Sequence, residues 1–241
     1  MVGTEGIVLQ ELIPGGGEAQ FSYAAAFDRG ALVASLVARR TRQYPIEFGY
    51  TSTFVETVEC DAVEEAGRRF LASLDHSGLA EVEFKFDRRH GRYKILDVNP
   101  RIWTWGGLGG VAGLDFPHVI WRLAQGETIA PTRANRPAAW MHVSRDLVAA
   151  SQHMLTGRLS PVTYLRSFSK PLALAAFAID DPLPGIVELP LALWRAVTHR
   201  LPILLKDFWH QATCDEPAVS SPPAQLSPPS DHPARSCSHR P

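Results

Sequence analysis

The sequence predicts an α+β protein whose mostly antiparallel sheet is backed by helices, followed by a mainly helical extension and a disordered tail. Two stretches, residues 81–86 and 94–101, alternate between apolar and polar residues, which is the period of a strand with one buried face. Residues 61–74 and 115–125 instead repeat apolar side chains at helical spacing. Strands joined by short turns and packed against such helices give an α+β arrangement.

The other elements of the first part of the chain, residues 1–127, follow in order. We expect strands at residues 7–12, 19–27, 31–41 and 51–59, with a tight turn at residues 28–30. Asp61 is expected to cap the first helix, with Glu64 completing a capping box and Gly78 stopping the helix. Its apolar stripe consists of Val63, Phe70, Leu71 and Leu74.

The two alternating stretches are joined by the polar loop of residues 87–92, which contains a glycine, so they are predicted to form a hairpin. Closing this loop symmetrically places Glu83 opposite Asp97, and Lys85 opposite Ile95. Directly opposed side chains lie about 4.5–5.5 Å apart at Cβ. Two carboxylates at that distance repel each other unless a cation lies between them.

The hairpin therefore predicts a metal site. Glu83, Asp97 and the amide of Asn99 offer oxygen ligands, which suit Mg²⁺ when phosphate and water fill its remaining positions. Arg101 follows directly and can hold phosphate as a planar fork. The alternative is an ordinary surface hairpin with solvated charges.

The pattern Glu83…Asp97-x-Asn99-Pro-Arg101 resembles the metal-binding signature of the ATP-grasp superfamily, the fold of carbamoyl-phosphate synthases, biotin carboxylases and D-alanine–D-alanine ligases. The resemblance implies that Glu83, Asp97 and Asn99 hold Mg²⁺, with Mn²⁺ as a substitute, beside bound ATP. It also implies that Arg101 stabilises the transferring phosphoryl group.

A second match lies at residues 8–15, Val-Leu-Gln-Glu-Leu-Ile-Pro-Gly, with Glu18 just beyond. In the ATP-grasp superfamily this segment links two lobes that clasp the nucleotide. The resemblance implies that backbone groups near Glu11, Leu12 and Ile13 contact adenine, and that Glu18 holds the ribose hydroxyls. A strand that runs into a Pro-Gly turn is the alternative. Together the two motifs cover roughly residues 5–127, which is about half of the chain.

The activity implied by the resemblance is that of a carboxylate–amine, or carboxylate–thiol, ligase. ATP phosphorylates a carboxylate, and an amine attacks the acyl phosphate to form an amide. Arg42, from the cluster Arg39, Arg40 and Arg42, is a second candidate for phosphate or substrate binding. A solvated strand end explains this cluster equally well.

The superfamily's N-terminal lobe supplies a lysine and a glycine-rich loop over the phosphates, and this sequence begins at the linking segment. We therefore expect the C-terminal half of a ligase that is inactive by itself, and the candidate protein partners are a missing N-terminal lobe or a second copy of the chain in a homo-oligomer. A fragment, a mis-started gene product and a degenerate relative all stay open. The second function class is a non-catalytic ATP-grasp-derived domain that binds nucleotide or acts through partners.

Composition narrows the class of protein. A chain of 241 residues with 45% hydrophobic content suits one or two packed domains. A net charge of −1 lacks the excess of positive charge that is typical of nucleic-acid-binding proteins, so we expect small-molecule partners. Three scattered cysteines favour a reducing cytoplasm, and no apolar run is long enough to span a membrane.

The remainder of the chain is predicted to consist of a mixed, mainly helical extension, residues 128–213, and a disordered tail, residues 214–241. Residues 128–213 carry nine Lys or Arg against five Asp or Glu, with a buried strand expected at residues 171–179 and a helix at residues 189–209, interrupted at Pro202. Residues 214–241 hold seven of the nineteen prolines together with many serines, which predicts disorder.

Overall fold

The computed structural model describes residues 9–47, 49–195 and Thr198. Its strands are β1 (Gln20–Asp28), β2 (Ala31–Tyr44), β3 (Thr51–Thr57), β4 (Gly78–Asp87), β5 (Arg92–Asn99), β6 (Thr132–Arg133), β7 (Ala139–Met141) and β8 (Leu172–Leu174). They form one sheet of eight, in the order β5-β4-β1-β2-β3-β7-β8, with β6 beside β2. Five of the strand pairs are antiparallel, and β2–β6 and β7–β8 are parallel.

Six α-helices accompany the sheet in the described part of the chain. They are α1 (Asp61–Ser73), α2 (Leu108–Val111), α3 (Phe116–Ala124), α4 (Val143–Leu155), α5 (Pro161–Arg166) and α6 (Leu183–Arg195), with short 3₁₀ turns at Gly17–Ala19 and Ser167–Ser169. The predicted α+β arrangement, a mostly antiparallel sheet backed by helices, is confirmed. None of the described helices is long and apolar enough to cross a bilayer.

The core lies on both faces of the sheet because β1 is buried on both sides. Ala24 and Ala26 point into a cluster with Trp103, Trp105 and Phe116, where small residues on the strand leave room for large rings. The alternate residues of β1 point into a second cluster, under α1, that contains Tyr23, Ala25, Phe27, Leu71, Val82 and Phe84.

The first helix forms where it was predicted, but its ends differ. Cys60 is the N-cap residue and gives no side-chain capping bond, so Asp61 is the first helical residue rather than the cap. The helix ends at Ser73, and Gly78 starts β4 instead of stopping the helix. Leu74 lies past the helix end and is 59% exposed, so it is not part of the buried stripe.

Other predicted elements have mixed outcomes. The turn between β1 and β2 is confirmed, with Arg29 and Gly30 both at positive φ. The helix at residues 115–125 is confirmed as α3, and the Asp115 side chain caps it by accepting from the backbone N–H of His118. Residues 9–12 form no strand, because this segment meets β5 through side chains rather than through a backbone ladder.

Residues 128–195 contribute three strands to the sheet. The strand predicted at residues 171–179 is only the three residues of β8, and these are half-buried. The predicted helix begins earlier, at Leu183, and contains Pro190. Its proposed interruption at Pro202, and the predicted disorder of residues 214–241, lie outside the described residues.

Candidate functional site

The β4–β5 hairpin brings the two predicted metal-binding carboxylates face to face. Glu83 is the register partner of Asp97, as predicted. The predicted pairing of Lys85 with Ile95 is wrong, since the register shifts directly after Glu83 and Lys85 lies opposite Lys94. Leu96 is the extra residue of this β-bulge. A bulge changes side-chain direction locally, and here it lies beside the paired carboxylates.

Glu81 is a third acid on the side of the hairpin that carries Glu83 and Asp97, and these three residues form its acidic face. Sequence analysis did not select Glu81. It lies two residues before Glu83 on β4 and opposite Asn99 on β5. Its side chain is buried, at 3% exposure, and accepts a hydrogen bond of 2.8 Å from the Ser22 hydroxyl. Burial, and then the charge of Glu83, raise the pKa of Glu81 to about 7. The alternation of β4 could have identified it, because it shares the face of Glu83.

Asn99 links the two glutamates. Its amide nitrogen lies 3.5 Å from one oxygen of Glu81 and 3.4 Å from one oxygen of Glu83, and it donates to both. Its amide oxygen accepts from the Arg101 guanidinium at 3.1 Å. Asp97 is exposed, and one of its oxygens accepts from the backbone N–H of Val98.

These side chains line a cavity of about 370 Å³, within the usual size range of small-molecule sites. Three arginines from separate parts of the chain reach it, together with aromatic and hydroxyl side chains. Its lining residues are Arg40, Tyr50, Thr51, Ser52, Glu81, Glu83, Asp97, Asn99, Arg101, Trp103, Thr104, Trp105 and Arg145.

Arg40, rather than Arg42, is the arginine of β2 that reaches the cavity. Its guanidinium donates to Glu83 at 3.3 Å and to the carbonyl of Gly49 at 3.4 Å. A bulge at Thr41 explains the difference, because Arg40 then pairs with Val55 and Arg42 with Phe54. Consecutive residues of β3 point to opposite faces of the sheet, and so do these two arginines.

Arg42, predicted to bind phosphate or substrate, lies in a buried ion pair. Its guanidinium donates to both oxygens of Asp146, at 2.8 and 2.9 Å, and stacks 4.0 Å over the Phe54 ring. Only 4% of its side chain is exposed, and it is not among the residues that line the cavity. Here Arg42 joins α4 to the sheet.

The predicted adenine-contacting segment lies along the turn half of the hairpin. Glu11 accepts from Arg89 and from Lys94, each at 2.7 Å, and the Lys94 bond is the main cause that lowers the pKa of Glu11. Leu12 is 78% exposed, whereas Ile13 is buried. None of the three lines the cavity.

Glu18, the predicted ribose ligand, is exposed and accepts from the backbone N–H of Gly16 at 3.2 Å. It lies near Lys85, whose pKa is lowered by burial and partly restored by the Glu18 charge. Lys85 lies two residues beyond Glu83 on β4, about 7 Å along the strand. Glu18 and Lys85 therefore extend the polar surface away from the cavity.

The acidic face can be tested for its fit to magnesium. In the described part of the chain, no three His, Cys, Asp or Glu side chains lie close enough together to hold a metal by themselves. Mg²⁺ does not require this, since one or two carboxylates suffice when a nucleotide brings phosphate oxygens. By chemical type, Glu83, Asp97 and Asn99 fit an ion of this kind.

The chain is similar to several solved structures. No family model matches the sequence, and neither does any curated protein. Among solved structures, the chain is similar to pyruvate carboxylase from Rhizobium etli, with 17% identity over 50% of this chain and 13% of that one, and a TM-score of 0.42. Biotin carboxylase from Campylobacter jejuni gives 13% identity, 50% and 28% coverage, and a TM-score of 0.42.

A third similar structure is the ATPase subunit of phosphoribosylaminoimidazole carboxylase from Aquifex aeolicus, with 18% identity, 51% and 37% coverage, and a TM-score of 0.39. All three are ATP-grasp enzymes, the superfamily that the motifs resemble. The chain spans only 13% to 37% of the length of these solved chains. The activities of these longer proteins therefore do not by themselves define the chemistry of this chain.

Proposed function

We propose that this chain binds a magnesium–nucleotide complex on the β4–β5 face and belongs to a ligase that activates a carboxylate with ATP for attack by an amine or a thiol. The observation that carries the proposal is the opposition of Glu83 and Asp97, with Asn99 and Arg101 in the same cavity. Opposed carboxylates are unfavourable without a cation, so this face favours a positively charged ligand.

Each residue of the face has a distinct role in the proposal. Glu83, Asp97 and Asn99 would hold Mg²⁺ or Mn²⁺, which supplies charge stabilisation to the phosphates when it is bound. Arg101 is exposed at the cavity and would orient phosphate oxygens as a fork. Arg40 lies against Glu83 and limits the negative charge of the face.

We further propose that nucleotide contacts continue beyond the cavity. Backbone near Glu11, Leu12 and Ile13 would meet adenine, and Glu18 would accept from the ribose hydroxyls. The segment lies close to β5, where the Gln10 amide donates to the carbonyl of Leu96 at 3.3 Å. Phosphates at Glu83 and a base at the turn half of the hairpin would then lie along one strand pair.

The test is calorimetric titration of the purified chain with a non-hydrolysable ATP analogue and Mg²⁺. Asp97→Ala should weaken the magnesium-dependent affinity at least tenfold, because it removes one of two ionic metal ligands. Asp181→Ala, a change of an exposed aspartate that does not line the cavity, is the matched control. Equal affinity in Asp97→Ala and the control would refute the proposal.

The proposal includes the expectation that the 241 residues alone do not complete ligation. Asp97 and Arg101 are both exposed, so water would screen the charges that stabilise phosphoryl transfer. The purified chain should release no ADP across a panel of carboxylates and amines. Substrate-dependent release that disappears in Asp97→Ala would overturn this part.

One observation favours the second candidate, a non-catalytic nucleotide-binding or interaction domain. Arg40 pairs with Glu83, and Asn99 turns its amide nitrogen, not its oxygen, toward the same carboxylate. Protein groups that already satisfy Glu83 in this way would compete with a metal ion, and weaker metal binding favours a domain that binds nucleotide or a partner without turnover. Nucleotide affinity without turnover, even after addition of the N-terminal lobe of an ATP-grasp ligase, would favour this candidate.

A further inference from the structure

The cavity has a second wall that the metal-binding motifs do not include. Tyr50, Thr51 and Ser52, where β3 begins, line it together with Arg145 from the first turn of α4. Arg145 lies outside residues 5–127, the region that the two motifs cover. This wall therefore adds a cation to the cavity from a different part of the chain.

The backbone of Arg145 is anchored on both sides. Before it, the N–H and hydroxyl of Ser144 both donate to Glu188, at 3.3 and 2.6 Å. After it, Asp146 is fully buried and accepts from Arg42 and from the Thr53 hydroxyl. A side chain between two such anchors starts from a fixed position, which lowers the entropy cost of holding a ligand.

The Arg145 guanidinium itself is free to bind an anion. It is exposed and donates one long hydrogen bond, of 3.4 Å, to the Thr51 hydroxyl. Among the ion pairs of the described residues, none involves Arg145. By contrast, the Arg40 charge is already matched by Glu83.

The two walls of the cavity carry different charges, which determines where an anionic group of a ligand can bind. The hairpin wall carries the acids Glu81, Glu83 and Asp97, and of its arginines Arg40 is matched by Glu83 and Arg101 is assigned to phosphate, whereas Arg145 leaves an unmatched positive charge on the second wall. Arg40 connects the two walls, since its guanidinium donates both to Glu83 and to the carbonyl of Gly49, which directly precedes Tyr50, so a single small molecule can reach both walls. An anionic group at Arg145 would keep the rest of that molecule beside the predicted metal face.

We propose that Arg145, with the Thr51 hydroxyl, is a carboxylate-binding subsite for the small-molecule substrate. The guanidinium fork matches a carboxylate in two parallel hydrogen bonds, and the Thr51 hydroxyl is within reach to add a third. The inference rests on the proposed function, because it assigns the acceptor position of the same cavity. The class of ligand is a small carboxylate, with succinate and L-glutamate as probes.

The experiment titrates succinate or L-glutamate into the full chain, with and without the magnesium–nucleotide analogue. Binding is followed by tryptophan fluorescence, because Trp103 and Trp105 line the cavity. Arg145→Gln should weaken binding of the probe at least tenfold, and Arg145→Lys should fall between it and the wild type. Arg166→Gln, at an exposed arginine of α5 outside the cavity, is the matched control and should bind like the wild type.

The two proposals fail in different ways. If Arg145→Gln binds the probes like Arg166→Gln, or if neither probe binds the wild-type chain, the subsite is refuted. Neither result bears on the affinity of the chain for nucleotide, which is measured separately. Arg145→Gln should keep the wild-type nucleotide affinity within about twofold. Failure of the proposed function would appear instead as unchanged magnesium–nucleotide affinity in Asp97→Ala. Unchanged thermal unfolding of Arg145→Gln would exclude a folding defect, as its exposure predicts.

Discussion

The two ends of the β4–β5 hairpin carry carboxylates in opposite electrostatic settings. At the turn end, the Asp87 side chain is fully buried and accepts from Arg89, His90 and Lys94, each within 3.0 Å. At the other end, Glu81, Glu83 and Asp97 line the cavity, and among the ion pairs of the described residues only Glu83 has a partner, Arg40. The acid at the turn end is therefore paired with an arginine, a lysine and a histidine, whereas two of the three acids at the other end have no ion pair in the described part of the chain.

The pKa shifts follow this difference. Hydrogen bonds from Arg89, then from His90 and Lys94, hold the pKa of Asp87 well below its usual range. Burial and the Glu83 charge raise the pKa of Glu81 to about 7. Perturbed acids occur in structural ion clusters as well as in functional sites. The causes of the two shifts differ, because burial is the first cause at Glu81 and a hydrogen bond from Arg89 is the first cause at Asp87.

The largest expected effect concerns Glu81. Because its folded pKa is raised, the native state keeps this proton between pH 4.5 and about 7 while the unfolded state loses it. The free energy of unfolding should therefore fall by about 3 kcal/mol as pH rises through this window. Glu81→Gln should lose that dependence, as measured by urea unfolding at pH 5 and pH 8 with a chelator present. Glu59→Gln, at an exposed position, is the control, and equal pH dependence in both variants would contradict the prediction.

A second prediction tests the turn end, where the sign is reversed. The folded pKa of Asp87 is lowered, so its stabilisation is present above its ordinary pKa of 3.8 and is lost as pH falls below that value. Asp87→Asn should lower the melting temperature at pH 7 by several degrees, and the difference from the wild type should shrink below pH 3.8. Asp181→Asn serves as the control. A difference that grows on acidification would show that the cluster does not stabilise the fold through charge.

The smallest expected effect is on the stability of Asp97→Ala. Asp97 is exposed, so in metal-free buffer its removal should change the free energy of unfolding by no more than about 0.5 kcal/mol. The same variant is expected to lose nucleotide affinity, which separates binding from folding. Urea unfolding in a chelator measures this change. A loss comparable to that of Asp87→Asn would mean that the two ends of the hairpin are equally structural.

Sequence patterns predicted the parts of this site that depend on local periodicity. Alternating residues on both sides of a short polar loop are enough to predict the hairpin. The pairing of Glu83 with Asp97 also needs the bulge at Leu96, because the register that the turn sets would otherwise place Glu83 opposite Leu96. Local patterns likewise predicted a helix at residues 115–125, which forms as α3. The hairpin and this helix need no information from distant residues.

The bulges, the burial of Glu81 and the placement of the arginines depend on tertiary structure, which the sequence pattern does not contain. A single extra residue at Leu96 placed Asp97, rather than Leu96, opposite Glu83, and another at Thr41 sent Arg42 to Asp146 and left Arg40 at the cavity. Bulges depend on how strands pack against their neighbours and leave little trace in composition. Burial of Glu81 also needs the whole core, and Arg145 meets Thr51 across 94 residues of chain. By itself, then, the sequence determined that these two strands form a hairpin with acids on one face, whereas only long-range packing decided which carboxylates face each other and which arginines join them.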